Sequence, residues 1–292
     1  MTSQSADRTV VVSGAAVLLP GADTVRALAD GPAADGAPVE PAAHVGRKGL
    51  RYKDRATQLG YCLTAAALGD AGLLGDDGLT CPAESVGVVA SSNFGNLDTV
   101  ARSLDTIREE TVTATSPMDL PNASSNVIAS SAAIRYGLRG PNLMVCNGET
   151  SGLDAVHWAT TMITAGRAER VLVLGVEPDN DVVRRLLGGA RAVDGGAALV
   201  LESRTAAVQR SATVRAVLGT YRRSAGDPAP ARGRRWELPS HLGHASGAHG
   251  VLQCAAAVGM FDAGERGPVQ ATAGTAADDA GAELLLLAPE AA

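Results

Sequence analysis

Residues 140–155, Gly140-Pro141-Asn142-Leu143-Met144-Val145-Cys146-Asn147-Gly148-Glu149-Thr150-Ser151-Gly152-Leu153-Asp154-Ala155, decide how this chain folds. Leu143–Cys146 is an apolar run of strand length, Asn147-Gly148-Glu149 is a tight turn, and Thr150–Ala165 has the pattern of an amphipathic helix that Gly166 ends. Arg170–Val176 follows as another buried strand. Strand, turn, helix and strand in that order make the unit from which parallel sheets are built. The turn puts Glu149 in the first turn of the helix, where unpaired amides and the helix dipole favour negative charge. A cysteine there would be a stabilised thiolate and a good nucleophile. A glutamate is comfortable there as an anion but is a poor acyl acceptor, and taken locally it reads as an ordinary first-turn acid satisfying helix donors.

Outward from this unit the chain alternates in the same way. Thr9–Val12 is a β-branched strand closed by a turn at Ser13-Gly14, and residues 20–50, rich in Gly, Pro, Ala and Asp, read as an irregular excursion. Lys53–Ala71 is helical (Ala56, Leu59, Cys62, Leu63, Ala66, Ala67) and stops at Gly72. Val86–Ala90 is a strand with the polar loop Ser91–Gly95 behind it, and Leu97–Ile107 and Ser124–Ile134 read as helices, the second capped by Asn122 or Ser124. Ala197–Leu201 and Val214–Gly219 look like adjacent strands, and residues 221–235 like a basic, Pro/Gly-rich linker. A Gly243-His244 turn, a helix from about Gly247 to Met260, and strands near Val269–Thr272 and Leu284–Leu287 complete the pattern.

Composition narrows the class. The 292 residues are 46% hydrophobic, enough for a large buried core, yet only 3% aromatic. A core of Ala, Val and Leu needs close backbone approach, which the 34 glycines allow and layered α/β packing uses. A net charge of −6 without a basic stripe argues against nucleic acid as a partner. Cys62, Cys81, Cys146 and Cys254 are scattered, as reduced thiols of a cytoplasmic protein would be. Met1–Arg8 has no apolar core of signal-peptide length, and no apolar run is long enough to span a bilayer.

The segment 140–155 resembles the nucleophile segment of β-ketoacyl synthases of the thiolase fold, with Glu149 at the position of the cysteine. The Gly152-Leu153-Asp154-Ala155 ending is similar to one branch, the chain-length factors of type II polyketide synthases, in which the cysteine is replaced, usually by glutamine. Three further segments resemble the family in the same order. They are Lys53-Asp54-Arg55-Ala56 leading into Ala65–Leu73, Asp194–Glu202, and Leu242–Val251 with His244 at one family histidine. The second histidine, in an H-G-T-G-T motif, is missing between the last two segments, as is the glycine-rich loop expected within Ala271–Ala280.

The resemblance implies a thiolase-like layered α-β-α-β-α fold whose second half is shortened. Residues 1–204 would form the N-terminal ketosynthase-like half and 205–292 the shortened C-terminal half, packed as one unit. It implies no cofactor and no metal; His241, His244 and His249 match no standard zinc spacing. It implies a non-catalytic subunit paired as a heterodimer with an active ketosynthase, served by an acyl carrier protein that holds the growing chain. No catalytic residue is assigned: Glu149 is the degenerate nucleophile position and His244 the residual family histidine. Residues 109–135 would meet the partner, with Met118, Leu120, Asn122 and Asn126 at the channel or interface. The alternative is a malonyl-acyl carrier protein decarboxylase, against which an ionised Glu149 counts, because it would repel the enolate. Arg222, Arg223, Arg232, Arg234 and Arg235 read as a solvated linker, or else as a docking patch for an acidic carrier protein.

Overall fold

The structure is a computed structural model and describes residues 9–228, 233–278 and 280–289. Among these residues the strands are β1 Val10–Leu18, β2 Leu74–Gly75, β3 Gly78–Leu79, β4 Val86–Ser91, β5 Asn142–Val145, β6 Arg170–Glu177, β7 Gly195–Ser203, β8 Ala216–Ser224, β9 Val269–Ala273 and β10 Gly281–Leu287. The helices are α1 Val25–Asp30, α2 Pro41–Val45, α3 Arg55–Asp70, α4 Leu97–Glu109, α5 Val127–Tyr136, α6 Ser151–Thr164, α7 Asp181–Leu186, α8 Arg204–Gln209 and α9 His249–Asp262. Apart from the small β2–β3 hairpin, the strands form one sheet in the order β5-β4-β6-β7-β1-β8-β10-β9.

That sheet has two leaves. The first, β5 to β1, joins the second, β8-β10-β9, through only two paired positions, Val11 with Val217 and Val12 with Ala216. Helices α6 and α9 touch each other and strands of both leaves, so they lie between them. Helix α9 is apolar and buried almost all round, as a central helix must be. Helices α3 and α5 cover the other face of the first leaf. The period-2 alternation of β7 serves both sides. Ala197, Leu199 and Leu201 join the core between the leaves, and Ala198 and Val200 join the core under α3. Leu153 of α6 is fully buried between the leaves, and truncating it to alanine costs about 2–5 kcal/mol.

The parallel part of the sheet places the site. Strands β5 and β6 both pair in parallel with β4, and the register aligns Ser91 with Val145 and with Gly175. The segments that follow, Ser92–Asn96, Cys146–Thr150 and Glu177 onward, therefore leave the sheet at one edge, the carboxyl edge of its parallel strands.

Several local expectations are corrected. Ser13-Gly14 is a bulge inside β1 and not a turn, because the register with β7 shifts between Val12 and Gly14. A β-carbon on Gly14 would sit 2.7 Å from Ala67 O and from Ala71 Cβ, so glycine lets β1 lie against α3. Residues 20–50 contain two short helices, α1 and α2. Strands β7 and β8 are not neighbours, since β1 runs between them. The supposed linker begins as strand, with β8 continuing to Ser224 against β10. Helix α5 starts at Val127 after Asn126 without a side-chain cap, while the Ser124 hydroxyl donates to Asn126 Oδ1 at 2.6 Å. Met1–Arg8 lies outside the described residues. No helix among the described residues is long and apolar enough to cross a membrane.

Candidate functional site

Two helix starts meet at the sheet edge. A β-carbon on Gly152 would lie 2.8 Å from Gly250 N and 3.0 Å from Gly247 O, and one on Gly250 would lie 2.6 Å from Leu153. Glycine at these positions brings the first turns of α6 and α9 into backbone contact. The α6 start carries the turn Asn147-Gly148-Glu149, and Gly148 adopts φ +92° at no steric cost. The α9 start follows the short turn Ser246–Ala248, in which Ser246 has φ 37°, a left-handed conformation uncommon for a residue with a side chain.

Asn93, from the loop after β4, stitches the two turns together. Its Nδ2 donates to Gly148 O at 2.9 Å and to Ser246 Oγ at 2.8 Å, and its Oδ1 accepts from Gly148 N at 3.2 Å and Ser151 Oγ at 3.1 Å. Glu177 lies beneath it at the end of β6, with its side chain wholly buried. Its Oε1 accepts from Asn93 N at 2.7 Å and Gly247 N at 2.9 Å; its Oε2 accepts from Ser92 Oγ at 2.8 Å and Phe94 N at 3.0 Å. Burial pushes this carboxyl up to about 7, against the pull of its four donors.

Asp154 braces the α6 turn from the other side. It accepts from Asn147 Nδ2 at 2.6 Å, from Thr150 Oγ1 at 2.8 Å, and from the Tyr221 hydroxyl of β8. Tyr221 stacks on His157, 4.3 Å between ring centroids, and burial together with Asp154 pushes its hydroxyl above the usual phenol range.

Glu149 sits half-buried at the mouth of this arrangement. Burial pushes its carboxyl up and the charge of Asp278 adds to the push, while a hydrogen bond with Ser246 and the proximity of His244 act against both. The tertiary structure thus puts Glu149 within electrostatic reach of His244. His244 is exposed and lines a groove of about 460 Å³ with Ala190, Arg191, Ser240, His241 and Gly243. Its backbone is fixed by His244 N to Arg191 O at 2.8 Å and Val193 N to His244 O at 3.1 Å. The mouth offers a carboxyl group, a hydroxyl and an imidazole. It can hold a proton or accept hydrogen bonds, but Glu149 cannot supply a thiolate.

The other candidates fall elsewhere. Met118 is 53% exposed and Leu120 65% exposed, on the connector between α4 and α5. Asn122 is buried and committed locally, donating to Tyr52 O at 2.7 Å and Met118 O at 2.9 Å and accepting from Lys53 Nζ at 3.1 Å. Asn126 is exposed. The arginine cluster is dispersed. Arg222 and Arg223 alternate across β8, with Arg222 3.6 Å from Glu283 and Arg223 3.8 Å from Asp154, while Arg234 pairs with Glu265 at 3.1 Å. Arg232 lies outside the described residues.

Sequence reasoning missed Asn93, Glu177, Ser246, Asp154 and Tyr221 as parts of one site. Two signals were available: a polar loop directly after a buried strand, and a carboxylate ending the apolar run 170–176.

The model of the β-ketoacyl synthase N-terminal domain matches residues 38–206. The chain is 31% identical over 135 residues to the 3-oxoacyl-(acyl-carrier-protein) synthase 2 of Vibrio harveyi, covering 46% of this chain and 32% of that protein. It is 30% identical over 203 residues to a protein described as the granaticin polyketide β-ketoacyl synthase 1 of Streptomyces violaceoruber, covering 59% of this chain and 48% of that one. The chain thus spans a third to a half of the length of these curated relatives. Among solved structures, the ishigamide ketosynthase/chain length factor superposes with a TM-score of 0.78 at 18% identity, covering 96% of this chain and 99% of that one. A β-ketoacyl synthase from Burkholderia phymatum gives 0.75 at 16% identity, covering 97% and 100%. The thiolase-like architecture is shared with these structures.

Proposed function

The chain belongs to the β-ketoacyl synthase family, and on that premise we propose that it is a non-catalytic subunit of the chain-length-factor kind. It pairs with an active ketosynthase in a type II polyketide synthase and shapes the channel into which the acyl chain grows on its carrier protein. The observation that carries this reading is Glu149, a carboxylate in the turn just ahead of α6, at the position the resemblance aligns with the family's nucleophile, in a fold otherwise kept. A carboxylate there takes no acyl group from a thioester to the end of a condensation cycle, so what is left for the chain is shape and assembly.

Two further features support it. The mouth holds one family histidine by the resemblance, His244, and the interval Tyr221–Ser240, where the second would be expected, contains no histidine. The region from α4 to α5 exposes Leu104, Ile107, Val112, Met118, Leu120 and Ile134, a concentration of large apolar side chains that a partner would cover. A similar solved structure holds a type II polyketide synthase acyl-carrier protein in complex with its ketosynthase, with a TM-score of 0.79 at 14% identity.

The test is co-expression with a ketosynthase encoded beside this chain. A stable heterodimer that condensation requires is the expected result. Within that complex, Met118→Trp or Leu120→Trp shortens the polyketide product, read by mass spectrometry, because added bulk limits the channel.

One observation favours a second reading, decarboxylation of malonyl-carrier protein. The upward push on Glu149 favours its neutral form, which can donate a hydrogen bond to a developing enolate. Carbon dioxide release by the isolated chain, abolished in Glu149→Ala, would replace the first reading by this one.

A further inference from the structure

Glu177 ties its own strand end to the Ser92–Phe94 loop and the Gly247 amide. Each of its oxygens takes one donor pair, Asn93 N and Gly247 N on Oε1, Ser92 Oγ and Phe94 N on Oε2. No ion pair reaches it among the described residues, so it is a buried acid held by neutral donors alone. Gly247 is tight against it, since a β-carbon there would lie 2.8 Å from Glu177 Oε1. From the loop, the Asn93 side chain continues to Gly148 and Ser246, and Ser246 meets Glu149. From Glu177 the hydrogen bonds thus run through Asn93 to Ser246 and to Gly148, the residue before Glu149.

We infer that Glu177 is a positioning residue, a buried clamp that holds the Ser92–Phe94 loop and the Ser246–Gly247 turn in register and through them sets the place of the Glu149 turn. It touches no substrate in this role. The inference does not depend on the function proposed above, because its test reads the chain alone.

The clamp has a direction in pH. Burial holds the Glu177 carboxyl well above the ordinary carboxylate range, so the closed arrangement favours the neutral acid, and ionisation favours opening to water. The segments packed against it, Ser92–Gly95 and Ser246–Ala248, contribute no ionisable side chain. The titratable groups around these segments are Glu149, which feels Ser246, Asp278 and His244, His249 at the start of α9, and Asp179 two residues along the chain. Asp179 is engaged with Arg184 at 2.6 Å and Arg191 at 3.2 Å.

The experiment is amide hydrogen exchange by NMR on the full chain, with protection factors corrected for intrinsic exchange. From about pH 5 to about pH 8, the amides of Asn93, Phe94 and Gly247 lose roughly tenfold in protection, and the Gly148 amide, which donates to Asn93 Oδ1, follows them. Glu177→Gln, neutral at every pH, abolishes the step; its one oxygen keeps the Asn93 and Gly247 amides protected, while Phe94 N, facing an amide NH2, is less protected at every pH. Glu177→Ala is poorly protected throughout. Glu149→Gln keeps the step. A flat wild-type profile, a step that survives in Glu177→Gln, a step lost in Glu149→Gln, or a Gly148 amide that ignores the others each overturns the proposal. Should Glu177→Ala fail to fold, the wild type, Glu177→Gln and Glu149→Gln decide it.

Discussion

The floor and the mouth of the site each hold a carboxyl group pushed up by burial, yet they are built in opposite ways. Glu177, at the floor, is sealed and takes four donors from two segments, the Ser92–Phe94 loop and the Gly247 amide. Glu149, at the mouth, is half-buried and meets one hydroxyl, with an imidazole and a second carboxylate nearby. Both sit on the Ser246–Gly247 turn, one on each side. The difference teaches that the same functional group serves as framework when its acceptors are all used, and as a free chemical group when they are not. In this chain Glu177 is of the first kind and Glu149 of the second.

The comparison breaks most visibly at the floor. At about pH 5.5, Glu177→Ala leaves the Asn93, Phe94 and Gly247 amides without an acceptor and opens a void, and chemical denaturation shows a loss of about 3–4 kcal/mol. The gap narrows at higher pH, because the wild type is then itself weakened. That weakening is the second effect. A carboxyl whose pKa is raised on folding contributes stability that is fully present below its unfolded value and is lost as pH rises through the folded value. For Glu177 the window runs from 4.5 to about 7, with an amplitude on the order of 3 kcal/mol. Denaturation curves across this window slope downward in the wild type and flatten in Glu177→Gln.

Smaller effects test what sets the mouth in place. Gly152→Ala forces a β-carbon into Gly250 N and Gly247 O and costs about 2 kcal/mol by thermal denaturation, because backbone cannot move aside as a side chain can. Tyr221→Phe removes one of three donors to buried Asp154 and costs about 1 kcal/mol. Glu149→Gln costs less than about 0.5 kcal/mol, since its carboxylate holds nothing else together. A loss at Glu149 equal to that at Glu177 would erase the distinction between the two acids.

Much of this was legible in the residues themselves. The strand 143–146, the turn and the helix ending at Gly166 appear within a residue or two of β5 and α6, because period-3.6 and period-2 patterns and glycine stops act locally. Glu149, expected in the first turn of that helix, lies instead in the turn ahead of it, just outside N-cap Thr150. The bulge at Ser13-Gly14 was not legible, because what requires glycine there is α3, more than fifty residues away. Nor was the order of strands, in which β1 separates β7 from β8. The arginines between 221 and 235 looked like one patch only because they are close in sequence; alternation along β8 sends Arg222 and Arg223 to opposite faces.

The sequence by itself determined that a carboxylate stands in the tight turn between a buried strand and a helix, since side-chain identity and local periodicity need no partner from elsewhere in the chain. Only the tertiary structure decided that Glu149 lies within electrostatic reach of His244, and that Glu177 lies sealed beneath the Ser246–Gly247 turn. Those contacts join residues from separate strands and helices, and they exist because the parallel register of β4, β5 and β6 delivers three loops to one edge of the sheet.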